Sequence, residues 1–100
     1  MPAEITVEVH EELRALLPGF LDNRQRDLLL LTQSLDNADF TAILRIAHNL
    51  KGVGGGYGFD QITALGERLE AAARSSDAAA AATCITEYAR FLQQHRVVFV

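Results

Sequence analysis

The chain has no tryptophan, one cysteine, one methionine, two prolines and one lysine among its 100 residues. Each scarcity narrows what the protein can be. The single cysteine, Cys84, excludes an internal disulfide and is too little for a thiolate metal site. In its periodic apolar setting it reads as a small buried hydrophobe. The longest leucine run covers only Leu28 to Leu31, far short of the roughly 20 apolar residues that a spanning helix needs. The opening stretch MPAEITVEVHEE has neither a basic leader region nor a long apolar segment. A soluble, cytoplasmic protein is the expectation, with no membrane partner. Basic charge is also short: nine Lys and Arg against thirteen Asp and Glu give a net charge of -4. Those nine are scattered, whereas a nucleic-acid surface needs a clustered cationic excess to displace counterions. Nucleic acid is therefore not an expected partner.

What is present is a globular composition, 49% apolar and 22% charged. A chain of this size forms one domain, here residues 1–100, and buries roughly two thirds of its unfolded surface around one core. Leu13, Leu16, Leu17, Phe20, Leu21, Leu28, Leu31 and Leu35 recur at the helical spacing of three and four. Pro18 lacks a backbone donor and crowds the preceding turn, which predicts a kink or break near Leu17 to Gly19 and a short leading helix. The cluster from Asp36 to Asp39 closes one helix and caps the next at about Asp39.

That next helix carries Phe40, Ile43, Leu44, Ile46, Ala47, Leu50 and Val53 and ends in Gly54-Gly55-Gly56, a run that predicts a mobile turn. A third follows Gly58, carries Phe59, Ile62, Leu65, Leu69, Ala72 and Ala73, and stops at Ser75-Ser76. The last begins near Asp77 and presents Ala81, Cys84, Ile85, Tyr88, Phe91 and Leu92. No strand pattern stands out, and the tail Val97 to Val100, with no partner strand, is expected to pack on the bundle. The fold expected is all-α: an antiparallel up-down four-helix bundle with a short N-terminal helix.

At ~100° of rotation per residue, His48 points ~130° away from the apolar face of its helix and so faces solvent. Thr41, Arg45 and Gly52 share that outward stripe, and Lys51 sits one step round it. Lys51 is the only lysine, the other basic residues being arginine, and it stands three residues after the histidine, where an ammonium can meet a phosphoryl oxygen. Such a group adds about -1.5 to -2 charges, so a nearby cation favours it. Gly52, one turn beyond His48, leaves the ring open to an approaching protein and costs ~1 kcal/mol of helix stability. An exposed imidazole is mostly neutral near pH 7, and the neutral ring is the nucleophile. On geometry alone, an ordinary surface histidine before a fraying helix end accounts for the same pattern.

The run Ala47-His48-Asn49-Leu50-Lys51-Gly52, then Gly58, then Leu65 and Leu69-Glu70, resembles the signature of the histidine-containing phosphotransfer (HPt) domain. Phe20-Leu21-Asp22-Asn23-Arg24 and Asp39-Phe40 also look like that family, so the resemblance covers about residues 9–74. It implies that His48 is phosphorylated, that Lys51 sits beside the phosphoryl group, and that Gly52 opens a docking surface, the three residues that geometry reaches separately. It further implies exchange of phosphoryl with the aspartate of a receiver domain, in a response regulator or hybrid kinase, which supplies the catalytic acids and Mg²⁺. The chain itself would then be a monomeric carrier with no cofactor and no catalytic machinery of its own. Arg45, Gly58 and Phe59 join Gly52 as expected docking residues, although Tyr57 and Phe59 beside Gly58 also suit helix-start packing. A competing reading is an HPt-like module that docks a receiver or kinase without carrying phosphate, and another is a helical adaptor outside signalling.

Other chemistries fail on spacing. Between Gly52 and Gly58 the pattern G-x-G-x-x-G fails in every frame, and G-x-x-x-x-G-K-[ST] fails because Lys51 follows Leu50. His10 and His95 have no paired ligand spacing that would join them to His48 around zinc. His95 suits the negative end of the last helix, and His10 an exposed first turn.

Overall fold

The computed structural model describes residues 5–100; residues 1–4, part of the stretch tested above for a leader, lie outside them. Four helices form the body: α1 (Leu17–Asp36), α2 (Phe40–Val53), α3 (Asp60–Arg74) and α4 (Ala78–Gln94). Short connections join them, so consecutive helices run antiparallel, and no helix is long and apolar enough to cross a membrane. One core runs through the bundle, with Leu31, Ile43, Ala47, Leu50, Ile62, Leu69 and Tyr88 wholly buried.

Pro18 breaks the chain as its chemistry demands, but at a boundary and not inside a helix. It occupies the first turn of α1, where a missing N–H is no loss. The short leading helix is one 3-10 turn, Glu11–Leu13, capped by His10, whose Nδ1 accepts from the Glu12 N–H at 3.3 Å.

The α1–α2 and α3–α4 turns use one device twice. Ala38 and Ser76 adopt left-handed φ values of 52° and 51°, and the next residue caps the following helix. Asp39 Oδ1 accepts from the Ala42 N–H and Asp77 Oδ1 from the Ala80 N–H, both at 3.0 Å. These satisfy backbone donors that a helix start otherwise leaves free.

Two strands depart from the all-helical expectation. β1 (Ile5–Val9) and β2 (His95–Phe99) form a parallel two-stranded sheet that pairs Ile5 with His95 and Val9 with Phe99. The tail therefore has a partner, nearly the whole chain away. Ile5, Val7 and Val9 alternate with Thr6 and Glu8, a period-two pattern whose buried members, Val7 and Val9, face the bundle. The ladder continues through hydrogen bonds from Val100 N to Val9 O (3.0 Å) and from Glu11 N to Val100 O (2.8 Å).

The glycine run after α2 folds into a specific pair of turns. Gly55–Tyr57 make a 3-10 turn, Gly54 is buried, and the Gly54 carbonyl accepts from the N–H groups of Tyr57 and Phe59. Tyr57 stacks on Phe20 with ring centroids 4.1 Å apart. Gly58 turns the chain with φ 81°, and a Cβ built there would lie 2.5 Å from the Glu8 carbonyl oxygen of β1. Gly58→Ala is accordingly expected to lower stability by about 1–3 kcal/mol, measured by urea unfolding. Gly55→Ala, whose Cβ meets nothing within 4 Å, should leave stability nearly unchanged.

Candidate functional site

α2 places its apolar side chains on one face, with Ile43, Ala47 and Leu50 buried, while Thr41, Arg45, His48, Asn49 and Gly52 are exposed. The His48 side chain is 74% exposed, as the helical rotation requires. Lys51 stands between this stripe and the core, at 36% side-chain exposure.

The residue that organises the site lies on α3. Glu70 projects from the neighbouring helix into the α2–α3 seam, where only 9% of its side chain is exposed. Its Oε2 lies 3.1 Å from His48 Nδ1, and its Oε1 lies 3.4 Å from Lys51 Nζ and 3.3 Å from an Arg74 guanidinium nitrogen. A carboxylate this enclosed is tolerable only when cations and donors surround it. The hydrogen bond with His48 holds the Glu70 carboxyl below the ordinary glutamate range. Burial opposes that shift, and Lys51 and Arg74 reinforce it.

This geometry fixes the chemistry of the imidazole. An ionised carboxylate can only accept, so Nδ1 must carry the proton and donate to Oε2. In the neutral ring the lone pair then resides on Nε2. The site thus presents an accessible nitrogen nucleophile on a ring oriented by a buried carboxylate, with Lys51 alongside. An open groove of about 410 Å³ adjoins the ring, lined by Thr41, Leu44, Arg45, Glu70 and Arg74. Arg45, Lys51 and Arg74 make this region cationic on a chain whose net charge is -4.

Of the residues singled out from sequence, the structure brings His48 and Lys51 together through Glu70 and sets Arg45 on the adjoining groove. Gly52 lies on the exposed stripe, and a Cβ built there meets nothing within 4 Å. Phe59 is a correction: it is 0% exposed, packed against Phe20 and Phe91, and so unavailable as a docking residue. An aromatic side chain immediately before a helix start was drawn into the core, the packing alternative noted for it. Gly58 is exposed, and its evident task is the left-handed turn beneath β1. His10 and His95 serve as local caps, His95 Nδ1 lying 3.0 Å from the Leu92 carbonyl oxygen. Among the described residues no group of three or more His, Cys, Asp or Glu side chains is placed to hold a metal ion.

Glu70 appeared in the sequence only as a motif letter, with no role. The signal available was a carboxylate adjoining the buried stripe Ile62, Gly66, Leu69, Ala73, where a polar residue needs partners.

A carboxyl whose folded pKa is depressed contributes stability that is present above the unfolded value and lost as pH falls through the folded one. The stability difference between wild type and Glu70→Gln should therefore be full just above the ordinary value of 4.5 and shrink at lower pH. Urea unfolding at a series of pH values measures it, and a difference that grows on acidification contradicts the arrangement.

Comparison with curated proteins and with solved structures gave no match. The model of one protein family, described as the Hpt domain, matches residues 8–96. That span extends beyond the 9–74 region of the sequence motifs to take in α4 and the start of β2. With the four-helix architecture and an exposed histidine on α2, the chain belongs to the Hpt domain family.

Proposed function

We propose that the protein is a phosphocarrier of a two-component phosphorelay, accepting a phosphoryl group on His48 Nε2 from a receiver-domain aspartate and passing it to another. One observation carries this reading: an imidazole 74% exposed to solvent whose Nδ1 is held by a nearly buried carboxylate. A surface histidine without a task has no need of such an anchor. Gly52 adds support, because it weakens α2 by ~1 kcal/mol while no internal contact requires its missing side chain. The space it leaves serves something outside the chain.

In the accepting step the Nε2 lone pair attacks phosphorus of the receiver's aspartyl phosphate. The N–P bond forms, the P–O bond to the aspartate breaks, and the carboxylate leaves with the bonding electrons. Nδ1 keeps its proton, and Glu70 offsets the positive charge that the ring acquires. Lys51, already within 3.4 Å of Glu70, turns toward the phosphoryl oxygens, whose charge of about -1.5 to -2 it partly balances. Return of the group reverses the same bonds.

Mg²⁺ and the acidic residues that assist transfer belong to the receiver in this scheme, and the carrier adds position and charge but no catalytic apparatus of its own. It acts as a monomer in the cytoplasm and meets its receiver transiently, through Arg45, Gly52 and the groove beside His48.

Incubation with a phosphorylated receiver should transfer acid-labile, base-stable label to the wild type and none to His48→Gln. No label on the wild type with several receivers overturns the carrier reading in favour of a docking module. Lys51→Ala should retain the fold by circular dichroism yet slow transfer or shorten the phosphohistidine lifetime by about tenfold, the equivalent of ~1.4 kcal/mol of lost charge stabilisation. Unchanged kinetics remove Lys51 from the mechanism.

A further inference from the structure

The distance from Glu70 to His48 is a distance between two helices, and something must set how closely they approach. Gly66 lies one turn before Glu70 on α3, buried against α2. A Cβ built on it would stand 2.7 Å from the Lys51 backbone nitrogen, 2.9 Å from the Ala47 carbonyl oxygen and 3.1 Å from the Lys51 Cα. These are backbone atoms of a helix and cannot swing aside as a side chain can. The residues they belong to bracket His48, one immediately before it and the other three after.

We infer that Gly66 is a positioning residue for the phosphoryl-accepting site: by letting the α3 backbone touch that of α2, it brings the Glu70 carboxylate within reach of His48 and Lys51 together. This rests on the reading of His48 as the site, but its principal test needs no phosphorelay partner.

Bringing the 2.7 Å contact out to the 3.4 Å at which ordinary van der Waals contact begins requires 3.4 − 2.7 = 0.7 Å of separation. A shift of that size moves the His48 contact from 3.1 Å, and the Lys51 contact from 3.4 Å, past hydrogen-bonding range. Arg74 behaves differently. It stands on α3 with Glu70, at i,i+4, and travels with the carboxylate. The displaced glutamate therefore keeps its same-helix cation and loses its two partners on α2. Turning the Glu70 side chain can recover one of these, but Oε2 serves His48 and Oε1 serves Lys51, so both are not recovered at once.

Gly66→Ala is the test, made on the full chain with folding verified by circular dichroism. Alanine favours helix over glycine at this interior position, which opposes the strain of the contact. The Glu70 carboxyl is followed by carbon NMR against pH, and His48 Nδ1 by nitrogen NMR. We expect the Glu70 midpoint to move up, because burial, which raises it, then outweighs the remaining Arg74, and the Nδ1–H form of His48 to lose its dominance. Gly55→Ala, the same change at an exposed glycine in the turn after α2 that meets nothing within 4 Å, should leave the Glu70 midpoint and the His48 tautomer as they are.

Should Gly66→Ala fail to fold alone, it is measured in a Gly19→Ala background. That exposed helical glycine meets nothing within 4 Å, and its replacement strengthens α1. A folded Gly66→Ala protein with the wild-type Glu70 midpoint and the wild-type Nδ1–H form of His48 overturns the inference. Transfer from a phosphorylated receiver should slow by about tenfold, within the range that sub-ångström to ångström misplacement produces. If the wild type takes no label, the carrier reading falls, while the Glu70 midpoint and the His48 tautomer still decide the role of Gly66.

Discussion

The enclosed carboxylate of Glu70 is the interaction on which the site depends. A charge in the seam between two helices is stable only if the surrounding groups answer it, and here they come from both sides. Arg74 answers from its own helix, His48 and Lys51 from the facing one. The requirement constrains the imidazole in turn. Because the carboxylate accepts and cannot donate, it dictates which ring nitrogen holds the proton and which keeps a lone pair. Stability and reactivity are then two expressions of one contact. Burial opposes the ionised form of Glu70, and the hydrogen bond with His48 opposes that effect and prevails.

The rest of the bundle serves this pair by holding α2 and α3 in register. Gly54 at the end of α2 is as tightly placed as Gly66 in the middle of α3: a Cβ on it would lie 2.6 Å from Thr63 Oγ1 and 2.8 Å from the Phe59 carbonyl oxygen. The two helices are thus drawn together at two heights. On the other side of the turn, Phe20, Tyr57, Phe59 and Phe91 form a connected aromatic group that binds the turn to α1 and α4. Arg24 lies over Phe20 and pairs with Asp27 at 2.9 Å, and its carbonyl accepts the Tyr88 hydroxyl at 3.2 Å. Burial nevertheless outweighs Arg24 at Asp27 and pushes its carboxyl up.

Helix limits were legible because local chemistry writes them. Asp39 and Asp77 cap the helices they precede, Pro18 opens α1, and the apolar spacing of α2 gives the outward direction of His48 without reference to any other element. What sequence could not supply was pairing across distance. Neither Ile5–Val9 nor His95–Phe99 is convincing as a strand alone, and each is stabilised only by the other. Glu70 was hidden for the same reason: its partners on α2 are 19 and 22 residues away, and no helical period connects it to them. Phe59 was misplaced because an aromatic residue beside a site suits an interface and a core equally, and only tertiary packing decides between them.

The parallel sheet has a mechanical consequence. In a parallel pair the start of one strand and the end of the other lie at opposite ends of the ladder, so Ile5 and Phe99 stand diagonally across it. Tension applied through the chain on either side would slide β1 and β2 past each other, loading the inter-strand hydrogen bonds simultaneously. An antiparallel hairpin pulled from its two ends opens one bond at a time. The helices lie between the two strands in sequence, so a pull on the chain must shear this clasp before it reaches the seam that holds Glu70 against His48.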